Sequence, residues 1–545
     1  MIDLKKLSID ANFHMKKGNY ELAIKNFNII LEYDPYNNNA LTNLGLIYIN
    51  KANLEMAEKI IMKHLENIPS PSDEAIIFNH LAVVYIRSSR IPQAIKLLEH
   101  ALSLDPFKIE TYYNLTNAYS VFGNIEKALF YSLEAIKINN ASSEAFNNLG
   151  SVLNTMARFE EAKIAFETSI ELNKNNPEPM VNLAVLQTRM GNTYESIKIY
   201  ENILKNLPKG GKSQEGVIKF LLSFEYFKIG NLDKGYKFYE YGFHPNIAKT
   251  SSRAVARKFN KPLWDGKILN NKTLLIWREQ GIGDEILFLS LLNDFIDKYK
   301  GTGNIIYETD YRLVSVLQRS FPSINIRVQA FGPPPEFNAV THDYDFHLPL
   351  ASMMKYVRPK LEDYKHQKPY IKLDPFQIDK FKSRLTSFKD KILIGICWRS
   401  GNIDPLRNLH YISIDKLGPL FNNKNFQIVN LQYGDCEDEL ILAEKYFGIN
   451  ILRWSDLNLK DDFDGTFALM EQLDFIVTVG TSVHEMGGAI GAKTLFFTPP
   501  GGWHSFGQKN HVWFPSIKIF ESKGENMEKL IPEIAFYINK ENEIK

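Results

Sequence analysis

The chain has 545 residues, 44% hydrophobic and 23% charged, which suits two to four globular units at roughly 100–200 residues each. Lys and Arg number 64 against 63 Asp and Glu, a net charge of +1; this lacks the basic excess of non-specific nucleic-acid or anionic-membrane binders, so neither partner is expected. Two cysteines, Cys397 and Cys436, allow neither a disulfide framework nor a Cys-based metal site, and both read as reduced thiols of a cytoplasmic protein. The segment Met1–Asn12 lacks the apolar core of a signal peptide, and no run of about 18 apolar residues predicts a membrane span.

From the N-terminus, small residues opening an apolar helical stripe recur at Ala23, Ala57, Ala94, Ala128, Ala162 and Ser196, at intervals of 34, 37, 34, 34 and 34. Ahead of them stand Leu44-Gly45-x-x-Tyr48, Leu81-Ala82-x-x-Tyr85, Leu115-Thr116-x-x-Tyr119 and Leu149-Gly150-x-x-Leu153; Gly18, Gly123 and Gly191 mark turns between paired helices. The pattern resembles the tetratricopeptide repeat from about residue 8 to 242. It predicts about six repeats plus a degenerate capping repeat over Phe220–Gly242, stacked as an α-helical solenoid with a concave surface.

One position, just before the recurring Leu, is polar: Asn43, His80, Asn114, Asn148 and Asn182. In this repeat class it faces the groove. An Asn amide offers donor and acceptor, so a ladder of them can hold an extended polypeptide with little regard to sequence. Ordinary helix-surface Asn is the plainer alternative, although Asn is a poor interior helix former.

Residues 243–262 read as a connector. Apolar, β-rich runs then appear at Thr273–Trp277, Asn304–Glu308, Ile324–Val328, Ile392–Cys397, Gln427–Leu431, Phe475–Val479 and Thr494–Phe497, with helical stretches such as Glu285–Lys298 and Asp379–Lys389 between them. This alternation predicts an α/β region of parallel sheets, divided near Tyr364–Asp374 into two Rossmann-like lobes, residues 263–372 and 373–545. Ligands in such folds bind beyond the carboxyl ends of strands, at helix N-termini.

Three motifs fall at such places. After the first strand comes Glu279-Gln280-Gly281-Ile282-Gly283-Asp284-Glu285: the glycines permit close approach, and Asp284 at the helix start is either a general base on an acceptor hydroxyl or a helix cap. After Ile392–Ile396 comes Trp398-Arg399-Ser400-Gly401-Asn402, then Asp404 and Arg407; paired arginines can clamp a diphosphate, or simply sit on a surface loop. After Phe475–Val479 comes Gly480-Thr481-Ser482-Val483-His484-Glu485, then small residues to Gly491; hydroxyls and open N–H groups there suit a phosphate, and Glu485 is either a ribose ligand or a solvated charge. Trp503, in a Gly/Pro-rich loop, either stacks on a base or sugar or packs its own loop. His342, His347, His366 and His410 show no metal spacing and read as structural.

Taken together, Leu263-Trp264-Asp265-Gly266, the Gly281–Asp284 turn, the Trp398–Arg407 loop, Leu431-Gln432 and the Thr481–Gly491 segment resemble bacterial tetratricopeptide-repeat glycosyltransferases, whose second half is of the heptosyltransferase-like GT-B type. The resemblance covers nearly the whole chain. It implies a metal-independent transferase with no cofactor beyond a nucleotide-sugar co-substrate. The acceptor side is the first lobe and the donor side the second. Asp284 is the implied base, and Gly281, Gly283, Arg399, Asn402, Arg407, Gln432, Gly480, Thr481, Ser482, Val483, His484, Glu485 and Trp503 the implied donor contacts. The Asn series looks like the peptide-holding ladder of O-linked N-acetylglucosamine transferases, and some relatives glycosylate flagellin; a polypeptide acceptor is therefore implied. The chain departs from the usual Asp-Thr-x-x-Ala-His-Leu-Ala-Gly, with Gly480 for the Asp, His484 for the Ala and Glu485 for the His. A scaffold or chaperone with a silent second half, and a transferase for a glycan or lipid-linked acceptor, are the alternatives.

Overall fold

The computed structural model describes residues 3–67, 70–207, 212–243, 253, 259–329, 343–365, 367–401, 410–522 and 526–543. Asn402, Asp404, Arg407, His342 and His366 lie outside the described residues. The chain divides into two compact units, Met1–Leu186 and Gln187–Lys545.

The first unit is a run of helical hairpins. Its helices pair as Leu4–Lys16 with Tyr20–Tyr33, Asn38–Asn50 with Leu54–Leu65, Pro71–Arg87 with Ile91–Leu104, Ile109–Phe122 with Ile125–Ile138, and Ser143–Thr155 with Phe159–Leu172; Pro177–Arg189 crosses the seam. The recurring alanines explain the pairing: Ala23, Ala57, Ala94, Ala128 and Ala162 are each wholly buried, where a larger side chain would hold the helices apart. Gly150 does the same, since a Cβ there would sit 2.6 Å from the Phe166 ring. Helix starts are fixed by side-chain caps: Asn37 accepts from Ala40 N–H, Asn124 from Lys127 N–H and Ser142 from Ala145 N–H. The hairpin turn needs a left-handed residue. Gly18 and Gly123 supply it in two hairpins, but Ala52, Ser89 and Ala157 adopt φ of 54, 60 and 58° in three others.

The second unit begins with the closing repeat helices Thr193–Asn206, Lys212–Lys228 and Leu232–Tyr239, so the capping hairpin starts earlier than Phe220. Phe227, Tyr236 and Tyr239 share one core with the α/β region. Tyr236 donates to the Arg358 carbonyl at 2.6 Å and meets Tyr364 Oη at 3.0 Å. This shared core is why the seam between units falls at Leu186 rather than at the end of the repeats.

Two all-parallel sheets follow. β1 (Thr273–Trp277), β2 (Asn304–Thr309), β3 (Asn325–Val328) and β4 (Phe346–Pro349) form one in the order β3-β2-β1-β4. β5 (Ile392–Cys397), β6 (Phe426–Asn430), β7 (Phe475–Thr478), β8 (Thr494–Thr498) and β9 (Ile517–Glu521) form the other in the order β6-β5-β7-β8-β9. β5 and β7 are buried along their whole length, as continuous apolar runs in a parallel sheet should be. The two strands absent from the sequence reading are β4, four residues ending in Pro, and β9, where Lys518 interrupts the apolar run. The expected helix Glu285–Lys298 is instead two helices, Ile282–Leu289 and Leu292–Tyr299, and at the break Arg358 Nη2 donates to the Ser290 carbonyl at 2.9 Å. No helix among the described residues is long and apolar enough to cross a membrane.

Candidate functional site

A cavity of about 520 Å³ opens in the second unit at the carboxyl ends of β1, β5, β6 and β7. Two helix N-termini, one from each sheet, meet at its base. Helix Ile282–Leu289 follows β1 and helix Ser482–Ile490 follows β7. At Gly283 a Cβ would stand 3.4 Å from Ser482 Cα and 3.3 Å from Glu485 Oε2. The glycine is what lets the two helices come together.

Asp284 lines this cavity in the first helical turn. The N-cap is Gly281, so Asp284 is not the cap residue. Its neighbour anchors the turn. Glu285, 1% exposed, accepts from Tyr307 Oη at 2.8 Å and Thr309 Oγ1 at 2.6 Å, and pairs with Arg278 Nε at 3.0 Å. Burial pushes the Glu285 carboxyl up, with Arg278 opposing. With the Asp310 N–H also donating to it at 3.4 Å, this buried residue holds the backbone that presents Asp284.

On the opposite side, Thr481 is the N-cap of Ser482–Ile490 and its hydroxyl accepts from Val483 N–H at 3.4 Å. Its hydroxyl is thus spent on the helix, and Ser482 is the more open of the two. Gly480 lines the cavity with room to spare, since a Cβ there meets only Phe496 at 3.7 Å. His484 and Glu485 are almost fully buried in the cavity wall, with His484 Nδ1 2.9 Å from Glu485 Oε2 and 2.9 Å from the Thr481 carbonyl. Trp503 and His504 complete this wall. Trp503 borders the cavity and packs against Phe227 and Phe288. Burial pushes His504 down to about 3, with the His484 charge adding, and holds His511 well below its usual range.

Three expected contacts stand elsewhere. Arg399 does not reach the cavity: its guanidinium binds Glu439, with Nε to Oε1 at 2.9 Å, and Nη2 donates to the Asp435 carbonyl at 2.7 Å. Gln432, 1% exposed, accepts from the backbone N–H of Trp398 at 3.2 Å and of Arg399 at 3.0 Å, so it shapes the loop after β5. Val483 is buried beneath the helix start. Conversely, the cavity is lined by Arg312, Tyr433, Gly434 and Lys460, which the motifs did not single out. Tyr433 and Gly434 directly follow Leu431-Gln432 at a strand end, a position that carried the signal. Arg312 has none: it enters through its bonds to Asp310, at 2.8 Å, and to the Lys460 carbonyl, at 3.0 Å.

In the first unit, Asn43, His80, Asn114, Asn148 and Asn182 are all part-exposed at one repeat position. Three of the amides are already engaged between repeats. The Nδ2 of Asn43 donates to Asn12 Oδ1 at 3.1 Å, that of Asn114 to Asn79 Oδ1 at 2.9 Å, and that of Asn182 to Asn147 Oδ1 at 2.9 Å. One N–H of Asn114 and one of Asn182 are spent in this way, while Asn43 Nδ2 also donates to the Asn39 carbonyl at 3.0 Å. His80 is held down to about 4 by burial, with the charges of His64 and Lys108 adding.

The tetratricopeptide-repeat family profile matches residues 39–71 and 143–176. The chain is 25% identical over 302 residues to Protein FlbA of Caulobacter vibrioides, spanning 54% of this chain and 50% of that protein, so it covers half the length of this relative. Among solved structures it is similar to a tetratricopeptide repeat protein from Parabacteroides merdae, at 16% identity over 45% of this chain and 96% of that one, with a TM-score of 0.36. It is also similar to PilF of Pseudomonas aeruginosa, at 23% identity over 39% and 95%, with a TM-score of 0.30. The chain thus carries tetratricopeptide repeats, of the kind that bind peptides or proteins, ahead of an α/β region of two parallel sheets.

Proposed function

We propose that this chain is a protein O-glycosyltransferase of the GT-B type, moving a sugar from a nucleotide-activated donor to a Ser or Thr hydroxyl of a polypeptide bound by the repeats. The observation that carries the reading is the meeting of two helix N-termini at Gly283 and Ser482 beneath one cavity, with the Asp284 carboxylate on its wall. Helix N-termini favour anions, which suits a nucleoside diphosphate. In the step proposed, Asp284 takes the hydroxyl proton as the acceptor oxygen bonds to the anomeric carbon. The carbon–oxygen bond to the diphosphate breaks, and the nucleotide leaves with the electron pair. A cytoplasmic location fits two buried free thiols, and flagellin is one polypeptide acceptor to try. Replacing Asp284 by Asn should abolish transfer while leaving nucleotide affinity unchanged; a variant that still turns over would take the base role from Asp284.

A second reading, a repeat scaffold with a silent α/β half, is favoured by Arg399 being bound to Glu439 and by the Glu485 carboxylate in the cavity wall, where a diphosphate would want cations. Calorimetric titration with UDP, GDP, CMP, ADP and dTDP separates the two. One micromolar binder supports the enzyme, and no binder to the folded protein supports the scaffold.

A further inference from the structure

We propose that His484, Glu485 and His504 form a site for one divalent transition cation of the Zn²⁺ or Co²⁺ type in the cavity wall. This goes beyond the transferase reading, which calls for no metal, and does not depend on it. One ligand atom from each of the three residues lies within 4.8 Å of the others. Bonds of about 2.0–2.2 Å place two donors on one ion at most about 4.4 Å apart, so the side chains must shift to close the set.

The second observation is that donor atoms here lack partners. His484 Nε2 and His504 Nδ1 are buried and make no hydrogen bond, and the buried Glu485 Oε2 stands 2.9 Å from His484 Nδ1, all in residues that border the cavity. His484 is 2% exposed and Glu485 6%. Ring nitrogens in that position are costly unless something binds them, and a cation would serve both, with the Glu485 carboxylate as its third ligand. His484 is prepared for this: its Nδ1–H donates to the Thr481 carbonyl at 2.9 Å, which leaves Nε2 as a bare lone pair and orients the ring. Its ring also stacks on Phe496, 4.4 Å between centroids. His511 lies close by, 5.6 Å from His504 between ring centroids, but is not a ligand. Phe514 N–H donates to its Nδ1, so its proton resides on Nε2. Two imidazoles and one carboxylate select a borderline transition ion over Mg²⁺ or Ca²⁺, and three protein ligands leave a coordination position open to the cavity.

The test uses the full chain without an affinity tag, stripped by chelator and titrated with Co²⁺ under visible absorption and with Zn²⁺ by calorimetry. The expected result is one equivalent bound, a low-coordinate Co²⁺ spectrum, and Zn²⁺ affinity reduced more than about 100-fold in His504→Ala and in Glu485→Gln but unchanged in the surface variant His100→Ala. Absence of a Co²⁺ spectrum from folded wild-type protein overturns the site without reference to any variant. Unchanged Zn²⁺ affinity in both ligand variants overturns it equally. Because only metal is titrated, either failure leaves the transferase reading to its own nucleotide test.

Discussion

Replacing His80 by Asn, the residue standing at the same repeat position in four other hairpins, should remove an acid-sensitive element from the repeat unit. In the folded chain burial holds the His80 imidazole down to about 4 from an ordinary 6.5, with His64 and Lys108 adding. A folded value below the unfolded one means that stability is fully present above 6.5 and is lost as pH falls from there toward 4. At about 1.4 kcal/mol for each factor of ten in proton affinity, the whole difference is about 3 kcal/mol, and about 2 kcal/mol of it is gone by pH 5. Peptide-resolved hydrogen exchange over Pro71–Arg87, the helix that carries His80, reads the opening free energy of this hairpin without requiring the rest of the chain to unfold with it. Wild type should lose about 2 kcal/mol more than His80→Asn between pH 7.5 and pH 5. Parallel losses in the two proteins would refute the argument, because every other titrating group is common to both.

Ala157, with φ of 58° at a hairpin turn, should gain about 0.5–1 kcal/mol on replacement by Gly, read as a rise in the thermal midpoint; a loss would mean that the turn tolerates Cβ freely. Around the cavity, Gly488→Ala should prevent folding, since its Cβ would lie 2.3 Å from the Phe514 ring. Gly480→Asp should instead fold normally, having open space, and weaken nucleotide binding at least tenfold by adding a carboxylate; tighter binding would show that this position is cation-facing. Burial pushes the Cys397 thiol up to about 11, and Cys436 likewise. Neither should react with a thiol reagent at pH 8 until the chain is unfolded, and prompt labelling of native protein would contradict the buried environment.

The repeats were legible because packing leaves a periodic trace. A residue that must be small where two helices cross recurs as Ala23 through Ala162 and Ser196, and all are wholly buried. The strands were legible for the same reason, as β5 and β7 are unbroken apolar runs. The cavity's turns were legible through glycine, and Gly283 proves to be a point of helix contact. What sequence could not convey was direction. Arg399 sits in the right loop but turns toward Glu439, forty residues on, a pairing that depends on how the loop after β6 folds back. The ladder asparagines are part-exposed, and amides among them close on Asn12, Asn79 and Asn147, whose role is visible only once hairpins are stacked. His484 and His504 come from separate segments, and only the turn of the chain after β8 brings their rings to 5.4 Å.

Trp503 leans on Phe224 and Phe227, ring centroids 6.2 and 5.9 Å away, both on helix Lys212–Lys228. That helix is repeat in origin but serves as a buttress for the cavity. The consequence concerns how such a protein can be dissected and how it can change over generations. Hairpins before Leu186 can be added, lost or exchanged without replacing any residue that lines the cavity. A cut at residue 242, where the periodicity ends, would strip the support from Trp503. A fragment starting near Gln187 keeps that helix and every residue that lines the cavity.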